Sequence, residues 1–87
     1  MKIVATKTFE KQYAKSPGYV KKKVADLYLK IEAAKSWEDI PAIKEMKSHE
    51  NTYRIRVVDY RIGVQIIEQT LKFVVIMHRK EIYRFFP

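Results

Sequence analysis

The residues that could bind a charged ligand lie in the second half of the chain, where arginine alternates with apolar residues. Arg54 and Arg56 are two positions apart in one such run, and Arg61 begins the next. Successive side chains of a strand point to opposite faces, so Arg54 and Arg56 share one face. The planar guanidinium group can bind phosphate through two parallel hydrogen bonds, which favours a phosphate-bearing ligand.

A second group of polar residues follows the last apolar run. His78, Arg79 and Lys80 end that run, and Tyr83 lies a few residues beyond it. Imidazole has an ordinary pKa of about 6.5, so it exchanges protons near neutral pH, and a tyrosine ring can stack on an unpaired base. If the strands pair as a meander, we expect these residues to converge with the arginines on one face.

Together these side chains fit metal-free RNA cleavage. The ribose 2′-OH attacks the adjacent phosphate, which requires a proton acceptor, a proton donor for the leaving oxygen and cations on the phosphate. Each residue also has a structural explanation: Arg54 and Arg56 could simply face water, and Arg61 could pair with an acidic neighbour. His78 could be a buried histidine and Tyr83 could close the core. Composition alone does not separate cleavage from binding.

The composition excludes several other kinds of site. The chain has no cysteine and only two histidines, which removes disulfides, cysteine nucleophiles and a structural zinc site. It has no evident carboxylate cluster for Mg²⁺, no glycine-rich phosphate loop and no Ser-His-Asp arrangement. We therefore expect neither a metal nor a cofactor.

Length and charge predict one domain, residues 1–87, with polyanionic partners. Eighteen lysines and arginines oppose ten acidic residues, which gives a formal net charge of +8 and favours nucleic acid, an anionic surface or an acidic protein. No apolar run approaches the roughly 18 residues of a membrane helix. The first residues lack the apolar segment of a signal peptide. We expect a cytoplasmic protein with no membrane partner.

The first half of the chain predicts one strand and two helices. Residues 2–6 are prone to form a strand, and Thr8 is expected to cap a helix over residues 9–15. Ser16, followed by proline, is expected to cap a second helix over residues 18–34. That helix carries one apolar stripe with spacings of three and four residues: Val20, Val24, Leu27, Ile31 and Ala34. The connection is short, so the helices should form an antiparallel hairpin.

The second half predicts three strands joined by short turns. Residues 36–51 form a connection with a short strand or turn near 40–46, and a period of two begins at Thr52. The run 71–77 is almost entirely apolar, which predicts an inner strand buried on both faces. The expected fold is α+β in the order β-α-α-β-β-β. Its two-helix hairpin packs on one face of a small, mainly antiparallel four-stranded sheet, with the N-terminal strand at an edge.

Three segments resemble those of the RelE/ParE superfamily of toxins. Residues 53–62, Tyr-Arg-Ile-Arg-Val-Val-Asp-Tyr-Arg-Ile, are similar to the signature YRIRVGDYRI, and residues 78–84 are similar to the C-terminal HRKEIYR segment. Residues 43–47 are similar to the IKKLKG segment ahead of the sheet. The helix pair and the length also match, so the resemblance covers nearly the whole chain.

The resemblance implies the toxin of a type II toxin–antitoxin module. RelE-like members cut mRNA in the ribosomal A site, so it implies a ribosome-dependent mRNA endonuclease that contacts 16S ribosomal RNA. It also implies an acidic antitoxin as the neutralising partner. The alternatives are a ParE-like inhibitor of DNA gyrase that is not a nuclease, and an inactive relative that only binds its partner.

The resemblance assigns roles position by position. Arg54 and Arg56 match residues that hold RNA and take part in cleavage. Arg61 and Arg79 match arginines that stabilise the phosphate and the transition state. Tyr83 matches a tyrosine that stacks on the substrate.

Further positions follow from the same resemblance. His78 lies where several nucleases have a histidine, which makes it the first acid–base candidate. Lys44 and Lys47 resemble contacts to ribosomal RNA. Several positions depart from the family pattern. Val58 replaces the usual glycine of the turn, and Gly63-Val64 stand where an apolar residue followed by tyrosine is commoner. Some active relatives have lysine at the positions of Arg54 and Arg56.

Overall fold

A computed structural model describes residues 1–86, and Pro87, the last residue of the predicted domain, lies outside that range. In chain order the elements are β1 (Lys2–Ala5), α1 (Lys7–Ala14), α2 (Gly18–Ala33), β2 (Ile43–Glu45), β3 (Thr52–Val57), β4 (Tyr60–Ile67) and β5 (Thr70–His78). Two short 3-10 turns span Trp37–Asp39 and Ile82–Arg84. Within residues 1–86, neither α1 nor α2 has the length and apolar character of a membrane-crossing helix.

The strands form one sheet in the order β1-β5-β4-β3-β2. β1 runs parallel to β5 at one edge, and the other neighbours are antiparallel. The predicted α+β fold, with its N-terminal strand at an edge of a mainly antiparallel sheet, is confirmed. The sheet has five strands rather than four because the segment near residues 40–46, expected as a short strand or turn, forms a strand at Ile43–Glu45 that pairs with β3. Three residues are too few to show a clear period of two.

The helices and one face of the sheet form the main core. All residues of the predicted α2 stripe are buried: Val20, Val24, Leu27, Ile31 and Ala34. They belong to the same cluster as Ile55, Ile62 and Ile76 of the sheet, each of which is at most 2% exposed. Burying one such side chain contributes about 1.5–3 kcal/mol. The core therefore decides which face of each strand points towards the helices.

The first helix begins at a residue other than the one expected. Thr6, not Thr8, caps α1: its hydroxyl oxygen accepts a hydrogen bond from the Phe9 amide at 3.0 Å. The same hydroxyl donates to the Val74 carbonyl of β5 at 2.6 Å. Thr6 is preferred as the cap because it also joins the helix start to the sheet, a contact between residues far apart in the chain.

The second helix also differs from its predicted start. Its N-cap is Pro17, and Ser16 does not cap it. The Ser16 hydroxyl instead donates to the Gln12 carbonyl at 2.9 Å. Ser16 thus continues the hydrogen bonding of α1, in the manner of a serine that bonds to the carbonyl four residues earlier.

A bulge in β5 reverses the direction of its side chains. The pairing of β4 with β5 passes over Val74. Before the bulge Phe73 packs in the main core, and after it Ile76 does so. Val75 packs in a second cluster. One extra residue exchanges the two faces of a strand, so the end of β5 points opposite to the direction that regular alternation predicts.

Candidate functional site

Three arginines and a lysine lie on the face of the sheet that the helices leave uncovered. Lys44 on β2 is the register partner of Arg54 on β3, and Arg56 is the partner of Arg61 on β4. Ile55, between Arg54 and Arg56, packs in the main core. The long basic side chains therefore point away from the helices. We call the surface formed by Lys44, Arg54, Arg56 and Arg61 the arginine face.

The C-terminal turn packs on the same side of the sheet. Ile82 is fully buried and Phe86 is 6% exposed, and both pack with Val75 in the second cluster. Tyr83, which lies between them in sequence, is 71% exposed. The Arg54 guanidinium carbon is 4.6 Å from the centroid of the Tyr83 ring. At this distance a cation is attracted to the face of an aromatic ring.

A groove of about 330 Å³ opens between the arginine face and Tyr83. It is lined by Ala42, Ile43, Lys44, Arg54, Arg56, Arg61 and Tyr83. The groove combines several cations with one exposed aromatic ring. These are the groups that hold the phosphates and stack on the bases of single-stranded nucleic acid.

Positive charge is concentrated around Arg61. Its Nη1 donates to the carbonyl oxygens of Val58 at 3.0 Å and Tyr60 at 2.8 Å, which holds the guanidinium group beside the β3–β4 turn. Burial, followed by the charges of Arg56 and Arg79, lowers the pKa of Arg61. Within residues 1–86, no carboxylate forms a salt bridge with these arginines. A bound anion would therefore relieve their mutual repulsion.

The same charges act on the Tyr83 phenol. The Arg54 guanidinium group beside the ring is the main cause that lowers the pKa of Tyr83. The charges of Arg61 and Lys44 act in the same direction. A phenol with a lowered pKa is a stronger acid. Tyr83 therefore offers the groove a proton donor as well as a ring.

Arg79 and Lys47 lie outside the lining of the groove. Arg79 is exposed immediately after β5, and its backbone amide donates to the Asp59 carbonyl at 2.8 Å. It lies close enough to Arg61 for its charge to lower the Arg61 pKa. Lys47 is exposed in the connection between β2 and β3. Arg79 thus adds charge beside the groove, whereas Lys47 extends the basic surface along the chain.

The expected convergence is wrong for His78, which lies on the helix side of the sheet. It is the register partner of Tyr60, a residue that packs against the main core, and the two rings meet edge to face with centroids 5.7 Å apart. His78 reaches this side because the bulge at Val74 reverses the alternation of β5. It lines a different depression, together with Gln12 and Ser16.

Both ring nitrogens of His78 face groups of the protein. Nε2 lies 3.6 Å from a carboxylate oxygen of Asp59, and Nδ1 accepts the Lys80 backbone amide at 3.2 Å. Asp59 also accepts a hydrogen bond from the Tyr19 hydroxyl at 2.8 Å. This interaction, together with burial and the Asp59 charge, raises the pKa of Tyr19. The Asp59 carboxylate thus joins α2 to the end of β5 rather than pairing with Arg61.

Two residues that shape the site, Gly63 and Phe86, share no local sequence pattern that would pair them. Gly63 lies between Arg54 and Val75 in the cross-strand register, and the ring of Phe86 lies directly over it. The departure of Gly63 from the family pattern was visible. Nothing in the sequence linked it to a phenylalanine more than twenty positions away.

Comparisons with known proteins agree with the fold. No protein-family model matches the chain. The chain is 38% identical over 88 residues to "Toxin RelE3" of Methanocaldococcus jannaschii, with all of both chains covered. It superposes on the RelB–RelE antitoxin–toxin complex from Methanococcus jannaschii with a TM-score of 0.84 and 34% identity, covering 97% of this chain and 99% of that one.

A more distant structure has the same fold. In the archaeal RelE–RelB complex from Pyrococcus horikoshii, the matching chain has a TM-score of 0.73 and 16% identity, over 92% of this chain and 96% of that one. A sequence identity of 38% to a RelE toxin, over the whole of both chains, establishes the family as well as the fold. The chain belongs to the RelE family, the toxin components of type II toxin–antitoxin modules.

Proposed function

We propose that this toxin binds RNA in the groove of the arginine face and cleaves mRNA on the ribosome. The observation that carries the proposal is the contact of Arg54 with the Tyr83 ring, beside Arg56 and Arg61, which form no salt bridge with a carboxylate of residues 1–86. A solvated sheet face needs no exposed ring held against a cation. A nucleotide needs both groups, one for its phosphate and one for its base.

The proposed reaction is attack of a ribose 2′-OH on the adjacent phosphate. The 2′ oxygen forms a bond to phosphorus, the bond to the 5′ oxygen breaks, and the products are a 2′,3′-cyclic phosphate and a 5′-OH. Arg56 and Arg61 bind the phosphate in the groove, and the charge of Arg79 beside the groove helps to stabilise the negative charge of the transition state. Arg54 holds Tyr83 for contact with the substrate.

We assign the proton for the leaving 5′ oxygen to Tyr83. His78 is a poor donor in this arrangement, because it lies on the other side of the sheet with its nitrogens facing Asp59 and Lys80. Arginine is too basic to exchange protons readily. The lowered pKa of Tyr83 makes its phenol a better general acid than an ordinary tyrosine. The 2′-OH proton passes to an oxygen of the substrate phosphate, without a metal ion.

Partners follow from charge and family. RelB accompanies RelE in the complexes from Methanococcus and Pyrococcus, and we propose a cognate acidic antitoxin for this chain. A net charge of +8 favours rapid association with an acidic segment. Lys44 and Lys47 are proposed contacts to 16S ribosomal RNA. The site of action would be the cytoplasm, where ribosomes translate.

Primer extension on a reporter mRNA tests the proposal. The mRNA is incubated with the protein, with and without translation, and the ends of the fragments are analysed. We expect cuts only in the translated samples, with a 2′,3′-cyclic phosphate on the upstream fragment and a 5′-OH on the downstream one. Cuts without ribosomes would contradict ribosome dependence, and a 5′-phosphate on the downstream fragment would contradict attack by the 2′-OH. Intact mRNA together with lost gyrase supercoiling would replace this proposal with the gyrase alternative.

A further inference from the structure

The position of Tyr83 depends on a close contact between the C-terminal tail and the sheet. A Cβ atom placed on Gly63 would lie 2.6 Å from Cγ of Phe86 and 2.7 Å from each of its Cδ atoms. Carbon atoms do not approach so closely without displacement. The absence of a side chain at position 63 therefore lets the Phe86 ring rest on the backbone of β4.

This contact lies in the same cross-strand row as the stacking pair. Lys44, Arg54, Gly63 and Val75 are successive register partners across four strands. Glycine leaves an empty position between Arg54 and Val75, and the Phe86 ring fills it. The tail is thereby held against β4, the strand next to the one that carries Arg54.

The two anchors of the turn lie on either side of Tyr83 in sequence. Ile82 and Phe86 are four residues apart, the spacing that places side chains on one side of a helical turn, and both are buried. The Phe86 amide donates to the Ile82 carbonyl at 2.9 Å and closes the turn. With both anchors against the sheet, Tyr83 is left exposed over Arg54.

We propose that Phe86 and Gly63 form a ring-and-socket pair whose role is to position Tyr83 in the groove. They are positioning residues, because neither lines the groove. The inference rests on the proposed function for its catalytic consequence, but the placement of the ring can be measured without any RNA. A displacement of about 1 Å at such a residue can reduce a rate by as much as 100-fold.

The test compares two disruptive variants with two matched controls. Gly63→Ala fills the socket and Phe86→Ala removes the ring. Gly18→Ala is the control for the first, because a Cβ at Gly18 has no atom within 4 Å. Phe85→Ala is the control for the second, because Phe85 is 63% exposed. Phe86→Leu keeps an apolar anchor without the flat ring, in case Phe86→Ala does not fold.

The first readout is the titration of Tyr83, followed by NMR with ring-labelled tyrosine and assigned with Tyr83→Phe. In Gly63→Ala and the Phe86 variants, we expect the Tyr83 pKa to rise towards its ordinary value, because the ring leaves Arg54. The two controls should titrate as the wild type does. Folded Gly63 and Phe86 variants with an unchanged Tyr83 pKa would overturn the inference.

The second readout is cleavage of translated mRNA. We expect a loss of about tenfold or more in the rate for the disruptive variants, with little change for the controls. If the wild-type protein cleaves no mRNA, the proposed function fails, and the Tyr83 titration still decides the positioning role. A shifted titration in variants that cleave at the wild-type rate would contradict the catalytic consequence of the positioning.

Discussion

The Arg54 guanidinium carbon lies 4.6 Å from the centre of the Tyr83 ring, so one contact both orients the ring and acidifies its hydroxyl. These two effects can be separated by mutation. Tyr83→Phe keeps a ring on Arg54 but removes the proton, whereas Tyr83→Ala removes both.

The first prediction concerns the proton that Tyr83 supplies. We expect Tyr83→Phe to bind RNA nearly as well as the wild type and to lose about 10²–10⁴-fold in single-turnover cleavage rate. Tyr83→Ala should lose affinity as well. A general acid acts in its protonated form, so the wild-type rate should fall as pH rises through the Tyr83 pKa. Arg54→Met should move that fall to higher pH. An unchanged profile in Tyr83→Phe would contradict the assignment.

The second prediction is that Arg61 favours activity at some cost to stability. Burial and the neighbouring charges of Arg56 and Arg79 lower its pKa, so the folded state disfavours this charge. We expect Arg61→Gln to reduce cleavage by about 10²-fold or more without reducing the free energy of unfolding at low salt. Urea unfolding at low and high salt measures the effect. The free energy of unfolding of Arg61→Gln relative to the wild type should be lower in high salt than in low salt, because salt screens the charge repulsion that the substitution relieves.

The third prediction is that His78 is not the acid–base group of the reaction. His78→Gln loses the imidazole that faces Asp59 and Lys80, so we expect a lower free energy of unfolding, by about 1 kcal/mol at most. Its cleavage rate should stay within about tenfold of the wild-type rate, well above that of Tyr83→Phe. A loss of rate in folded His78→Gln that equals the loss in Tyr83→Phe would return the acid–base role to His78.

The fourth prediction concerns the turn between β3 and β4. Val58 has a φ of +58°, a left-handed conformation that is strained for a branched residue. Val58→Gly should raise the free energy of unfolding by about 0.5–1 kcal/mol, because relief of strain exceeds the added flexibility of the unfolded chain. Lys72→Gly, at an exposed position within β5, is the control and should destabilise. Chemical denaturation would contradict the prediction if Val58→Gly were the less stable.

The fifth prediction counts a phosphate contact. The affinity of a short oligouridylate, measured by fluorescence anisotropy, should fall steeply as salt rises. Arg56→Gln should reduce the slope of log affinity against log salt by about 0.7, the value for one phosphate contact on a single strand. Lys35→Gln removes an exposed charge at the end of α2 and should leave the slope nearly unchanged. Equal slopes in the wild type and Arg56→Gln would place Arg56 outside the RNA contacts.

Local patterns in the sequence predict most of the fold and the shared face of the arginines in the candidate site. The α2 stripe follows from helical spacing, and the shared direction of Arg54 and Arg56 follows from strand alternation, because each depends only on neighbours in the chain. β2 is too short to show such a pattern. The expected convergence is wrong for His78 because β5 has an extra residue at Val74. The position of a bulge depends on how the strand pairs with its neighbour, so no local sequence pattern reveals it.

The contact of Phe86 with Gly63 also has an evolutionary consequence. The socket exists only while position 63 lacks a side chain, so a relative with a larger residue there must seat its tail elsewhere or carry a smaller residue at position 86. The two positions should therefore covary in size among the relatives that share this tail.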